Sequence, residues 1–216
     1  MEVYVRMKIA YQYIGNEKEI ADKIDGLDKL ANSHIMKIKN LHWEDIYFMA
    51  SLDKSIKLID SFLFAMKKRN ITVLATLTRL QMDCVLRTYA STLVEDSGEF
   101  CKSIIAEDKQ VNKIKDMSGG KMTDRYLCEK LEEYLGYPIY DLYKKISGYV
   151  HFSTSSFHHM ASCLDECDVT MFISRSNRVE EEKEYTRLSI ELANQFYFFG
   201  TILIEHIFVS WLEQKK

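Results

Sequence analysis

Apolar residues recur at intervals of three and four along most of the chain, which is the spacing of an amphipathic α-helix. This pattern predicts helical segments over 17–39, 43–69, 72–95, 99–110, 123–136, 139–151, 157–167 and 180–212. The 72–95 segment is apolar on most of its sides, so we expect it to be a central helix, packed antiparallel to the 180–212 helix. We predict an all-α fold, a bundle of about six or seven helices.

Two stretches depart from the helical spacing. Residues 1–15 combine strand-like alternation with aromatic residues, and their state stays open. Residues 169–174, Val-Thr-Met-Phe-Ile-Ser, favour a short extended segment because β-branched and aromatic residues suit strands.

The chain has one proline and eight glycines, too few for the many turns of an all-β protein. It shows no repeat and no long linker, so we predict a single domain over 1–216.

The last predicted helix is apolar enough to need a comparison with a membrane span. Four polar or ionisable residues interrupt it: Asn194, Gln195, Glu205 and His206. An ionised group at the centre of a bilayer costs at least ~2.5 kcal/mol, which favours a helix buried in protein. We therefore expect no membrane association and expect four of its large side chains in the core: Phe196, Phe199, Leu203 and Phe208.

Charge and cysteine content limit the partners and the compartment. The net charge of −3 provides no overall basic field, so we expect no DNA binding. A local basic run at 67–69 fits a solvated helix end or a small basic patch. Five cysteines is an odd number, and the first residues do not form a signal peptide, so we expect reduced thiols and a cytoplasmic location.

Three charged residues lie in single file on the central predicted helix. Arg79, Asp83 and Arg87 are spaced four residues apart, so one helix face presents all three; we call them the charge row. An Arg-Asp-Arg ladder leaves one net positive charge and spare donors, which suit a phosphate. The alternative is a structural salt-bridge network centred on Asp83 that fixes how the helices pack.

A second polar group lies at the end of the predicted 139–151 helix. Lys144, Ser147 and His151 share one face of that helix, and Lys145 lies beside them. Histidine moves protons near neutral pH, and lysine holds a phosphate as a point charge. We therefore predict His151, Lys145 and Ser147 as catalytic residues. Arg79, Arg87 and Lys144 would then be phosphate ligands. The alternative is a histidine bonded to a neighbouring helix, with exposed lysines.

Metal and cofactor motifs are weak or missing in the sequence. His159, Cys163 and Cys167 are spaced four residues apart, but three ligands over more than two helical turns cannot close a tetrahedral zinc site. The sequence contains no glycine-rich phosphate loop, no His-Glu-x-x-His and no Gly-x-Ser-x-Gly. We predict no metal and no cofactor, and expect the cysteines to pack as small apolar residues.

The long helices, the Lys-x5-His151 spacing and the run Ser-Gly-Tyr-Val-His-Phe-Ser resemble the HEPN-like superfamily of bacterial defence and toxin proteins. The resemblance covers about 72–156. It implies an all-helical, usually dimeric protein, acting without metal on the RNA backbone through an arginine and a histidine. His151 matches that histidine, and Lys145 or Lys144 stands at the arginine position. Other members of the superfamily are inactive and bind nucleotides or proteins.

Two functions are therefore predicted, and a spatial criterion separates them. The first is binding or cleavage at an RNA or nucleotide phosphate. The second is a non-catalytic interaction or regulatory module in which the polar groups are structural. The first requires His151, Lys145 and Arg79 or Arg87 to line one open cleft, and the second predicts that these side chains are buried and bonded to one another. We also expect the charge row to face 144–151.

Overall fold

The computed structural model describes residues 11–35, 41–151, 161–165, 168–171 and 182–214. Nine α-helices precede a final π-helical stretch in these ranges: α1 (Glu17–Asp25), α2 (Leu27–Ile35), α3 (Trp43–Lys57), α4 (Ile59–Lys67), α5 (Ile71–Ala90), α6 (Ser97–Ile105), α7 (Asp124–Leu135), α8 (Ile139–Val150) and α9 (Glu182–Thr201). The π segment (Ile202–Phe208) continues α9 and leads into α10 (Val209–Gln214). The all-α class is confirmed. Joined across their short breaks, these helices form seven units in the described ranges.

A short antiparallel hairpin accompanies the helices. Strand β1 (Ala161–Asp165) pairs with β2 (Asp168–Met171), with Ala161 opposite Met171. The extended segment predicted from residue 169 is confirmed as far as 171, and the remainder to 174 lies outside the described residues. The helix predicted over 157–167 is wrong at 161–165, because backbone pairing with β2 replaces helical hydrogen bonds there.

Local backbone chemistry sets the helix ends. The two long helices predicted over 17–39 and 43–69 are each broken, at Gly26 and at Leu58. The helix predicted from residue 72 begins at Ile71, because Asn70 caps α5 by accepting a hydrogen bond from the Val73 N–H at 3.2 Å. Gly136 ends α7 in the left-handed conformation, with a φ of 69°, which glycine adopts without a steric penalty.

The core is built around α5, which packs against α3, α4, α7, α8 and α9. The predicted antiparallel arrangement of α5 and α9 is wrong. The two helices run parallel. Near their first residues Arg69 donates to Glu182 at 2.8 Å, and further along both helices Thr78 donates to the Leu192 carbonyl at 3.5 Å. The long chain segment between Ala90 and Glu182 returns to the first end of α5 before α9 begins.

The last helix belongs to the protein core, as predicted. Four large side chains have no exposed surface: Phe196, Phe199, Leu203 and Phe208. The Phe62 and Phe196 rings stack with centroids 4.1 Å apart, which ties α9 to α4. Glu182–Glu213 is long and apolar enough to cross a membrane, but 72% of its most apolar window is buried inside the protein, as in the core helix of a soluble protein.

Gly200 allows the closest approach between helices near the end of α9. A Cβ at this position would lie 2.7 Å from a methyl carbon of buried Leu27 and 3.1 Å from the Gln81 amide nitrogen. Both distances are shorter than ordinary van der Waals contact. The absence of a side chain at Gly200 therefore lets α9 pack against α2 and α5 at the same level.

Gly200→Ala should destabilise the protein, and Gly26→Ala should stabilise it. Overpacking at Gly200 outweighs the better helix propensity of alanine, for an expected loss of about 1–2 kcal/mol. Gly26 has a φ of −75°, and an added Cβ would meet only ordinary contacts at 3.5 Å, so we expect a gain of about 0.4–1 kcal/mol. Urea unfolding of both variants measures the two signs. A Gly200→Ala protein as stable as the wild type would refute the close packing.

Candidate functional site

The charge row lies on a half-buried face of α5. The Arg79 side chain is 13% exposed, Asp83 27% and Arg87 34%. Arg79 Nη1 lies 2.6 Å from Asp83 Oδ1, an ion pair between successive turns of the helix. Neighbouring positions of α5, including Met82 and Leu86, are fully buried. Packing of these apolar residues holds α5 in the core. The half-buried charged groups therefore need partners on the helices that pack against this face.

Asp124 is the main partner, and it was not predicted as a site residue. It is the first residue of α7, directly after Thr123, whose side chain caps the helix by accepting from the Tyr126 N–H. Its carboxylate binds Arg79 at 3.3 Å and also pairs with Arg87. Two aspartates therefore balance two arginines. The net positive charge expected from the charge row is neutralised by Asp124, which the sequence showed only as an acid in a first helical turn.

Tyr143 on α8 completes the network. Its hydroxyl accepts a hydrogen bond from Arg79 at 2.7 Å and donates one to Asp124 at 2.9 Å. The Arg79 guanidinium carbon also lies 4.1 Å from the centre of the Tyr143 ring, within range of a cation–π contact. The four charged side chains and Tyr143 thus join α5, α7 and α8 at one point. We call these five residues the polar network.

The electrostatics of the polar network favour its ionised form. Burial raises the pKa of Asp124, but the charge of Arg87, the Tyr143 hydroxyl and the charge of Arg79 outweigh it and hold that pKa below its ordinary value. For Arg79, burial lowers the pKa, while Asp83 and Tyr143 raise it to a net increase. Burial raises the pKa of Tyr143, so its hydroxyl stays protonated and can donate to Asp124.

The two predicted lysines of α8 have partners outside the polar network. Lys145 forms an ion pair with Glu191 of α9 at 2.5 Å, and Lys144 forms one with Asp141 at 2.8 Å. Both lysine side chains remain about half exposed, at 52% and 55%. Ser147 is half-buried, and its carbonyl accepts from the N–H of exposed His151, the residue that caps α8.

The structure therefore divides the predicted residues into two groups. Arg79, Asp83 and Arg87 join the polar network with Asp124 and Tyr143. Lys144, Lys145, Ser147 and His151 lie along the last two turns of α8; we call these four the α8 surface. The expected contact between α5 and α8 exists, but its bonded residue is Tyr143, which precedes the 144–151 segment.

The described cysteines are suited to packing rather than to chemistry. Cys84, Cys101 and Cys128 are buried free thiols. Burial raises the pKa of Cys84 to about 11 and those of Cys101 and Cys128 to about 12, so the reactive thiolate is scarce at neutral pH.

No group of three metal-ligating side chains occurs within the residues that the structure describes. Of the histidine and cysteines considered as zinc ligands, His159 and Cys167 lie outside those residues. Cys163 lies in β1, so it does not have the helical spacing that suggested the site.

Comparison with known proteins adds no relative. No protein-family model matches the chain, and no curated protein and no solved structure gives a significant match.

The polar network predicts that Asp124 matters more for stability than Asp83. Asp124→Ala removes the partner of Arg87 and one partner of Arg79 and Tyr143, while Asp83→Ala removes only the 2.6 Å pair with Arg79. Because these groups are partly exposed, we expect a loss of about 1–3 kcal/mol for Asp124→Ala and less for Asp83→Ala. Urea unfolding of the two variants measures the difference, and a larger effect at Asp83 would contradict the network.

The lowered pKa of Asp124 predicts that the stability of the protein depends on pH. A group whose pKa is lower in the folded state stabilises the protein above its unfolded pKa, about 3.9 for aspartate. That contribution is lost as the pH falls through the lower folded value. The unfolding free energy should therefore decrease on acidification below about pH 4, and Asp124→Asn should flatten this decrease. Unfolding curves between pH 5 and pH 2.5 test it, with Asp53→Asn as the control because Asp53 forms an exposed pair with Lys57.

Proposed function

We propose that this chain is a HEPN-like protein of bacterial defence that binds RNA or nucleotide phosphate in the cytoplasm through the α8 surface. The supporting observation is that two lysines, a serine and a histidine lie along two turns of one helix, with both ammonium groups about half exposed. Lysine and hydroxyl donors are the groups that contact phosphate oxygens. The resemblance of the 142–153 sequence to the HEPN-like superfamily supports the same class of ligand.

The helix itself does not attract the anion. A phosphate near His151 would lie at the C-terminal end of α8, where the helix dipole is negative. Lys144 and Lys145 must therefore supply the attraction. Each already has a carboxylate partner at the surface, and such exposed pairs are weak enough for a phosphate to compete with them.

The arginines of the polar network position this surface in the proposed function. Their charges are balanced by Asp83 and Asp124, so they are poor phosphate ligands in this arrangement. By holding Tyr143, Arg79 fixes the rotation of α8 about its axis. Ser147 lies one turn after Tyr143 and His151 two turns after it, so that rotation sets where both are presented.

Cleavage is the catalytic form of this proposal. His151 would take the proton of an RNA 2′-hydroxyl, while Lys145 stabilises the charge that grows on the phosphate and Ser147 orients it. The 2′-oxygen then forms a bond to phosphorus as the bond between phosphorus and the 5′-oxygen breaks. The 5′-oxygen takes a proton from water, and the other product is a 2′,3′-cyclic phosphate. In the HEPN-like superfamily such sites form in homodimers, and we propose the same assembly for the cleaving form of this protein.

A non-catalytic interaction or regulatory module is the second candidate. The observation that favours it is that Arg79, Arg87, Lys144 and Lys145 are each paired with a carboxylate already. Satisfied charges are what a structural role requires, although Lys144 and Lys145 remain about half exposed and bind carboxylates rather than one another. The two candidates differ in whether RNA binds at all.

Lys144→Ala should weaken RNA binding and reduce its salt dependence. Each phosphate contact to single-stranded RNA contributes a slope of about −0.7 in log affinity against log salt, so losing one contact should reduce the slope by about that amount. Fluorescence anisotropy with a labelled single-stranded RNA measures the slope from 50 to 200 mM salt. Lys57→Ala is the matched control, since Lys57 also pairs with an aspartate on its own helix. If the wild type does not bind at low salt, the interaction-module candidate is favoured.

His151→Ala should abolish RNA cleavage while helicity stays unchanged. Mixed RNA incubated at neutral pH with the wild type should be degraded, and RNA incubated with the variant should remain intact, as seen on a denaturing gel. Lys145→Ala should reduce cleavage less, because Lys145 assists without moving the proton. Equal RNA integrity for wild type and variant, together with binding, would leave a phosphate-binding protein without nuclease activity.

A further inference from the structure

A cleft of about 160 Å³ lies on the other side of α9 from the α5 core. Its walls come from the segment before α1, from the last turn of α1, from α9 and from the π segment. Aromatic and aliphatic side chains form most of them, among them Tyr11, Tyr197, Phe198 and Ile202. A closed apolar cavity of roughly this size, about 150 Å³, is enough to hold a benzene ring. The cleft therefore fits one six-membered ring.

The π segment contributes a histidine side chain to this cleft. Ile202 and His206 both line it, one at the start of the segment and the other four residues on. π-helical turns are uncommon and are often found at functional sites. Burial lowers the pKa of half-buried His206, so a neutral imidazole with one donor and one acceptor nitrogen faces the cleft near pH 7.

A single cation lies at the rim. Lys23 is the one charged side chain among the lining residues, and no lining residue is a carboxylate. Its ammonium lies 5.9 Å from the centre of the Tyr197 ring, which holds it above the opening. In the part of the chain that the structure describes, Lys23 forms no ion pair, so its charge is available to an anion.

We propose that this cleft binds a small aromatic carboxylic acid, with its ring packed against the Tyr11, Tyr197 and Phe198 side chains and its carboxylate on Lys23. The volume of the cleft accommodates one ring, and the aromatic and aliphatic lining residues provide its apolar contacts. The Lys23 ammonium, which has no ion-pair partner among the described residues, accounts for the charge of the ligand. His206 donates the second hydrogen bond to the carboxylate. The site is independent of the α8 surface and of RNA.

Benzoate is the probe that tests this site, with benzyl alcohol as its neutral analogue. In the full-length wild type, isothermal titration should show benzoate binding at least fivefold more tightly than benzyl alcohol. Titration with benzoate should also shift the His206 ring signals in a ¹H–¹³C NMR spectrum. Absence of benzoate binding at millimolar concentration, or shifts confined to other histidines, would overturn the proposal.

Lys23→Gln separates the charge from the apolar cleft. Because Lys23 is exposed, the variant should fold normally, and its benzoate affinity should fall at least fivefold while its affinity for benzyl alcohol stays within twofold. Lys18→Gln, also on exposed α1 surface but outside the cleft lining, should leave both affinities unchanged. An equal loss in the two lysine variants, or no loss at Lys23, would overturn the assignment of the carboxylate to Lys23.

Discussion

The structure depends on how α5 satisfies three charged groups on a helix that is otherwise surrounded by apolar residues. Burying α5 against five other helices provides most of the core, but the same packing removes Arg79, Asp83 and Arg87 from much of their water. Without partners, these charged groups would destabilise the folded state, because a buried polar group loses its hydrogen bonds to water. Asp124 and Tyr143 remove that cost, and in doing so they fix where α7 and α8 sit on α5.

This neutralisation changes what the arginines can do. Two free arginines on one face would attract phosphate, but two arginines shared between two aspartates carry no net charge. Arg87 Nη1 keeps a buried N–H donor that forms no hydrogen bond within the described residues. Lys144 and Lys145 of α8 are more exposed than either arginine, at 55% and 52% of their side-chain surface. Under the proposed function, the polar network supports the α8 surface, and the α8 surface contacts the nucleic acid.

The sequence was sufficient for features that depend on local pattern. The helical spacing located most of the helices, and the interrupted apolar run of 192–212 identified a core helix. Features that depend on residues far apart in the sequence could not be predicted from local spacing. Nothing near Asp124 indicates that two arginines some 40 residues away will share it. The direction of α9 relative to α5 was wrong for the same reason, since periodicity within a helix carries no information on which end meets its neighbour.

Close helix packing and the proposed aromatic-acid cleft lie within a few residues of each other at the end of α9. Gly200 brings the helix close to Leu27 and Gln81, and the π segment begins two residues later. The row of side chains that faces the cleft nevertheless continues from α9 into the π segment, since it includes Phe198, Ile202 and His206 at intervals of four residues. His206 therefore places a polar ring in the cleft. The missing side chain of Gly200 permits close packing against Leu27 and Gln81, while neighbouring residues of the same helix line an open space.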